Sequence, residues 1–291
     1  MSIPFKQVLE YNYLLRYYRA KALLLQIKTL LAMSIELKRS NALQGNIHVV
    51  LRFDDATMNQ YEYAFPLLES LNLKAVLAVP TGYVGKDSVT EGDRILRPID
   101  SWQKLREMLT AGWDLVPHGR FHLSRGPYLF LSNKILMDEI IRPVIDFKIN
   151  MGYKPRVFVP PGLITHQNPL GKRELKLLTN FYHTILLSSG YNYPIPILNR
   201  IYRGAIWSIP ATDSDEWIQM LMKFLKSSKV SRNYGIIIIF FHEIYVAKND
   251  KTQYGFSYGR LKILLNNLIK LGINVCSLSD VIAEIRKHQG I

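Results

Sequence analysis

A parallel α/β barrel, closed or nearly closed, is the fold class that this 291-residue sequence predicts. Three observations lead there. Seven or eight short apolar runs alternate with helical patterns, as βα units do around a parallel sheet. The length suits one large barrel or two smaller domains. The residues with metal-binding chemistry follow directly after three of the apolar runs, at the strand ends where a parallel barrel gathers its chemistry.

The first 45 residues are read as a helical extension and residues 46–291 as the barrel domain. Tyr13, Tyr17, Ala20, Leu24, Ile27, Leu31 and Ile35 recur at three- and four-residue steps, which predicts a helix. Packing on its own domain is the plainer reading. Arg16, Arg19, Lys21 and Lys28 support the alternative, a basic helix for a partner or a membrane surface. Lys28 interrupts what would be the apolar core of a signal peptide, so no export signal is read. SNALQGN, Ser40 to Asn46, is the linker.

Then the alternation begins. IHVVLRF (Ile47 to Phe53) predicts a strand with Ile47, Val49, Leu51 and Phe53 on one face. YEYAFPLLESLN predicts a helix, KAVLAVP a strand, and SWQKLREMLTAG a helix capped by Ser101 and ended by Gly112. WDLVP is a short strand. Ser132 caps a long helix that ends near Gly152, with a kink expected at Pro143. RVFVP, HTILLSS, AIWSIP, GIIIIFF and INVCSL are further strands. GRLKILLNNLIKLG and SDVIAEIRKH are helices.

Composition bounds the function. Lys and Arg outnumber Asp and Glu by 37 to 23, a formal charge of +14, which favours acidic partners: anionic glycans, nucleic acid or membrane surfaces. The 17 tyrosines and the lysines are dispersed and match no nucleic-acid-binding module. The longest apolar run, Gly235 to Phe241, is far short of the ~20 residues of a membrane-spanning helix. The single cysteine, Cys276, gives no internal disulfide and no sign of an oxidising compartment. A cytoplasmic protein, membrane-peripheral if its first helix touches lipid, is the expected location.

Asp54 and Asp55 leave the first strand, His118 and His122 leave WDLVP within PHGRFH, and His242 leaves GIIIIFF. Two histidines and an aspartate suit a divalent ion such as zinc with open positions for water and substrate. A second carboxylate can take a proton, and an opposing imidazole can protonate a leaving amine. The set is complete for hydrolysing an amide or ester, and nothing in it supplies a serine or cysteine nucleophile. Each part also has a plain structural reading. HxxxH arises by chance, paired aspartates form turns, and His242 alone reads as a core histidine, like His48, His166, His183 and His288. The shared placement at strand ends favours function. Asp213, Asp215 and Glu216 read first as a helix N-terminus, with Asp213 as an orienter of His242 the alternative. GYVGKD lacks the residues of a phosphate loop.

With these residues in place the chain resembles the metal-dependent polysaccharide deacetylases, the NodB-homology group of carbohydrate esterase family 4. RFDDAT matches the first motif, AGWDLVPHGRFHLS the second, FVPPG the third and FFHEI the last. LLESLNLKAVLAVPTGYVG and LGINVCSLSDVIAEI are similar to the segments between and after them, so the resemblance spans roughly Asn46 to Lys287. It implies a distorted (β/α) barrel of about seven parallel strands and a divalent metal, zinc first, with cobalt or nickel as alternatives. It implies removal of acetyl from an N-acetylated sugar. Asp55, His118 and His122 would hold the metal, with Asp54 the base and His242 the acid. Pro160, Pro161 and Gly162 would line the oxyanion side.

The chain departs from the pattern at three places. Ala56 stands where a glycine is common, and Gly119 where serine or threonine is common. Val159 stands where an arginine usually orients the catalytic aspartate; Arg156 and Arg203 are the stand-ins expected from sequence. Val159 supports an alternative, a catalytically silent barrel that binds an anionic glycan, nucleic acid or membrane by charge. A narrower alternative keeps the enzyme and changes the bond to a non-sugar cyclic amide.

Overall fold

The computed structural model describes residues 47–91, 94–123, 132–162, 172–188, 205–230, 235–247 and 252–289. The expected N-terminal helix, its linker, His166 and Arg203 lie outside them. Seven parallel strands form the wall of a nearly closed barrel. They are β1 (Ile47–Phe53), β2 (Val76–Val79), β5 (Asp114–Pro117), β6 (Val157–Phe158), β7 (Thr184–Ser188), β8 (Ala205–Pro210) and β9 (Gly235–Phe241). Their order is β5-β2-β1-β9-β8-β7-β6. Between the ends of that path, the amide of Val159 donates to Pro117 O at 2.9 Å. The first turn of β1 also pairs with β12 (Asn274–Val275) through His48 and Val49.

Parallel strands are buried on both faces, so alternation separates the barrel interior from the helix-covered exterior. Ile47, Val49, Leu51 and Phe53 join the outer core, where they pack with residues of three helices: α2 (Trp102–Thr110), α5 (Asp215–Val230) and α6 (Tyr258–Lys270). Val50, Val76, Ala78, Val116, Val159, Leu186 and Ile238 form the inner cluster, with Leu278 and Val281 of α7 (Leu278–Gln289) against it. The inner face of β1 therefore runs His48, Val50, Arg52 and on to Asp54. His48 is buried and receives Asn274 Nδ2 at 3.0 Å, a structural role as expected.

The helix termini follow the sequence signals. Ser101 accepts from Lys104 N at the start of α2, and Ser132 accepts from Ile135 N at the start of α3 (Asn133–Met151). Gly152 ends α3 at φ 78°, a left-handed conformation that glycine adopts without a Cβ penalty. Pro143, where a kink was expected, lies inside the helix. Helix α4 (Lys172–Phe181) packs with α3 over the wall made by β6 and β7. The segment read as one helix, Tyr61 to Asn72, divides into a π-helical turn, Gln60–Ala64, and a short α1 (Phe65–Ser70). Two small additions were not expected: a hairpin of β3 (Val89–Glu91) and β4 (Arg94–Leu96), and a parallel pair of β10 (Ile244–Tyr245) and β11 (Phe256–Ser257). Among the described residues no helix is long and apolar enough to cross a membrane.

Candidate metal centre

Asp54 and Asp55 leave the end of β1, His118 and His122 the end of β5, and His242 the end of β9. The fold thus brings all five to one end of the barrel. One ligand atom each from Asp55, His118 and His122 lies within 4.8 Å of the others, and all three residues are buried. His118 Nε2 and His122 Nε2 are 3.2 Å apart. Asp55 Oδ1 is 3.8 Å from the first and 3.3 Å from the second.

The far side of each ring decides what those atoms offer. His118 Nδ1 meets the carbonyl of Val159 at 2.8 Å, and His122 Nδ1 contacts the carboxylate of Glu91. Both partners are acceptors, so each Nδ1 carries its proton, and each Nε2 presents a lone pair when its ring is neutral. Asp55 Oδ1 is buried with no hydrogen-bond donor. With both rings neutral, three lone-pair donors converge. The arrangement fits a cation, and its His₂Asp composition fits a divalent ion that keeps open positions.

The same crowding governs protonation. Burial pushes the His118 pKa down to about 4. Burial acts the same way on His122, but Asp55, Glu91 and Asp54 outweigh it and raise that pKa. Burial also lowers the pKa of His242, against the pull of Asp55 and Asp54. Asp55 is desolvated too, yet His122, His242, Arg94 and His118 hold it well below the usual carboxylate range.

Asp54 is held by Arg52. The guanidinium donates Nε to Oδ1 at 2.8 Å and Nη2 to Oδ2 at 2.7 Å, then reaches Ser208 Oγ at 2.8 Å and Ser188 Oγ at 2.7 Å. Its Cζ lies 4.6 Å from the centroid of Phe240. Arg52 is fully buried, and both Asp54 oxygens are occupied, which a buried ion pair needs. This corrects the expected stand-in: Arg156 is exposed at the opposite end of β6, whereas the guanidinium on Asp54 comes from β1 itself. Val159 serves the site through its backbone instead, closing the barrel with its N–H and receiving His118 with its C=O.

Two further residues shape the loops. Gln60 is fully buried in the π-helical turn; its amide donates to Asp54 O at 2.5 Å and His242 O at 2.8 Å and so ties the ends of β1 and β9. Glu139 of α3 is buried and accepts the amides of Phe121 at 2.8 Å, Arg120 at 3.2 Å and Leu123 at 3.4 Å, which surround His122. A Cβ on Gly119 would stand 2.6 Å from Glu139 Oε2, and Gly119 has φ 74°. That explains the glycine where a hydroxyl residue is common: Glu139 occupies the space and bonds the loop. Asp55 and Ala56 themselves hold left-handed conformations, φ 76° and 48°, so Ala56 takes a shape that a glycine would take more freely.

The third motif, expected on the oxyanion side, follows β6. Pro160 and Pro161 are buried and carry no N–H, so Gly162 supplies the next backbone donor after Val159. His242 is partly buried, with the ring of Tyr254 at 5.5 Å. Asp213 is engaged by the Tyr245 hydroxyl, the Ser257 amide at 2.9 Å and Arg260 at 3.2 Å, a structural tie between the start of α6 and the loop before α5.

Missed in sequence were Arg52, Gln60, Glu91, Arg94 and Glu139. Arg52 had a signal, an arginine inside an apolar strand two positions before Asp54. Glu91 and Arg94 had one too, since a Gly-Asp pair between two short runs is a sequence signal for a two-residue hairpin turn.

Residues 44–174 match the family model described as polysaccharide deacetylase. No curated protein matches the chain. Solved structures share the fold at low identity. A family 4 carbohydrate esterase from Bacillus anthracis is 15% identical with a TM-score of 0.50, covering 82% of this chain and 83% of that one. A structure described as T48 deacetylase with substrate is 14% identical with a TM-score of 0.51, covering 81% and 90%. A CE4 family pseudoenzyme from Bacillus anthracis is 13% identical with a TM-score of 0.49, covering 82% of this chain and 66% of that one.

Proposed function

We propose, from the match of residues 44–174 to the polysaccharide deacetylase family model, that the chain is a divalent-metal-dependent hydrolase acting on the amide bond of an N-acetylated sugar. The observation that carries this reading is the convergence of Asp55 Oδ1, His118 Nε2 and His122 Nε2 beside a carboxylate already gripped by Arg52. Asp55, His118 and His122 would hold the ion, zinc by donor type, with cobalt or nickel able to replace it. When bound, the ion supplies a Lewis acid that acidifies water and polarises the acetyl carbonyl.

The protein groups divide the remaining work. Asp54, fixed in orientation by Arg52, accepts a proton from the attacking water. The N–H of Gly162 faces the charge that develops on the carbonyl oxygen, as a backbone donor in place before reaction. His242 gives a proton to the departing amine, so that the products are acetate and a free amino sugar. Arg52 also bears on the silent-barrel alternative. That reading rested on the arginine missing at Val159, and a guanidinium on Asp54 favours catalysis instead.

The test is metal analysis by mass spectrometry paired with acetate release from a panel of N-acetyl sugars. One ion per chain and chelator-sensitive acetate release support the reading. A protein that takes up no divalent ion after reconstitution rules it out.

A further inference from the structure

We propose that the β3–β4 hairpin is the outer shell of this metal centre, with Glu91 and Arg94 acting as positioning residues for His122 and Asp55. The inference rests on the reading of Asp55, His118 and His122 as a divalent-cation site.

The contacts form a closed circuit. Asp55 Oδ1 faces His122 Nε2 at 3.3 Å, and His122 Nδ1 contacts Glu91 Oε1. Glu91 Oε2 faces Arg94 Nη1 at 3.5 Å, and Arg94 Nη2 returns to Asp55 Oδ2 at 2.9 Å. Glu91 and Arg94 are paired directly across the antiparallel hairpin, so one register places both charges on the ligands. The hairpin is bound to the same turn that carries Asp55. Met58 N donates to Arg97 O at 2.7 Å and Ile99 N to Ala56 O at 2.8 Å, with a bridge between Thr57 and Pro98.

Each contact has a defined effect. An acceptor-only carboxylate on Nδ1 keeps the proton there, leaves Nε2 as the ligand atom and strengthens it as a donor. Arg94 occupies Asp55 Oδ2 and leaves Oδ1 without a hydrogen bond, aimed at the two imidazoles. The Arg94 charge is itself met by Asp55, Glu91 and, at 3.8 Å, Glu243, with the Tyr254 ring 5.0 Å from its Cζ. The hairpin is thus a device for metal retention and ligand orientation, and both residues act through the ligands.

Calorimetric titration of metal-free protein with zinc tests this, beside thermal unfolding of the same metal-free samples. Glu91→Gln and Arg94→Met are each expected to weaken zinc binding about 10- to 100-fold. Glu91→Asp, which keeps the charge, should recover part of the loss. The double variant should lose about as much as the worse single variant, because the two act in one circuit. A merely structural hairpin would lower the unfolding temperature and leave zinc affinity unchanged. Wild-type protein that binds zinc no more tightly than Glu91→Gln and Arg94→Met overturns the proposal and leaves the metal reading standing. Should Glu91→Gln fail to fold, Arg94→Met decides by the same comparison. Wild-type protein that binds no zinc removes the metal reading, and this proposal with it.

Discussion

Arg52 on β1 and Asp54 just past its end are two residues apart, and their side chains meet as a two-point ion pair, Nε to Oδ1 at 2.8 Å and Nη2 to Oδ2 at 2.7 Å. The spacing of two puts both on the inner face of a strand whose other face packs under helices. Arg52→Lys keeps the charge but loses the planar fork. We expect it to bind zinc normally and to lose about 10²-fold in kcat, the cost of a misplaced catalytic group. Arg52→Ala leaves a buried carboxylate unpaired and should cost roughly 3–5 kcal/mol in urea unfolding. Full activity in Arg52→Lys would remove the arginine from the mechanism.

The proposed mechanism gives Asp54 and His242 separable roles. Asp54→Asn should retain one zinc per chain and lose turnover. His242→Ala should slow sugar deacetylation by about 10²- to 10⁴-fold. The loss should be smaller on an activated aryl acetate, whose leaving group needs no proton. Equal losses on both substrates would show that His242 is not the acid.

The two imidazoles of the metal pair should titrate apart. In metal-free protein burial favours neutral His118, with its pKa pushed down to about 4. That contribution to stability is present above the usual histidine value of about 6.5 and is lost as pH falls through about 4. His122 is raised, so its contribution is present below about 6.5 and is lost as pH rises through its higher pKa. Zinc needs both rings neutral. Binding near neutral pH should therefore release a proton from His122, and affinity should rise with pH across that titration. Calorimetry in two buffers of different ionisation enthalpy measures the proton; NMR of the ring protons separates the two residues.

Gly119 and Glu139 should be coupled. Gly119→Ala places a methyl 2.6 Å from Glu139 Oε2 at a φ of 74° and should destabilise by about 2 kcal/mol or more. Glu139→Ala frees three loop amides and should weaken zinc binding. In the double variant the clash with Glu139 disappears, leaving the 3.2 Å approach to Pro161 Cγ and the positive φ, so the two losses should not add. Additive losses would place Glu139 away from the loop in solution.

Chelation gives the simplest readout. Removing the ion should abolish acetate release, and adding zinc or cobalt should restore it. Activity that persists at saturating chelator would contradict the assignment of Asp55, His118 and His122.

Much of this was legible along the chain. The strand alternation, the caps at Ser101 and Ser132, the stop at Gly152 and the positions of Asp54, Asp55, His118, His122 and His242 after strands all follow from local pattern. These depend on backbone geometry that repeats every two or 3.6 residues, and neighbours in sequence carry it. The supporting residues were hidden for a different reason. Both faces of a parallel strand are buried, so alternation in IHVVLRF leaves open which face is the barrel interior. An arginine at position 52 could equally have been a stray polar residue at a strand end.

Local pattern thus established a parallel barrel and a set of strand-end residues suited to metal-assisted hydrolysis. The folded chain alone settled which residues support them: Arg52 rather than Arg156 on Asp54, the hairpin carboxylate on His122, and Glu139 beneath Gly119. Hydrogen bonds and ion pairs act over about 3 Å, and those separations arise between segments brought together by barrel closure. No rule read along the backbone specifies them.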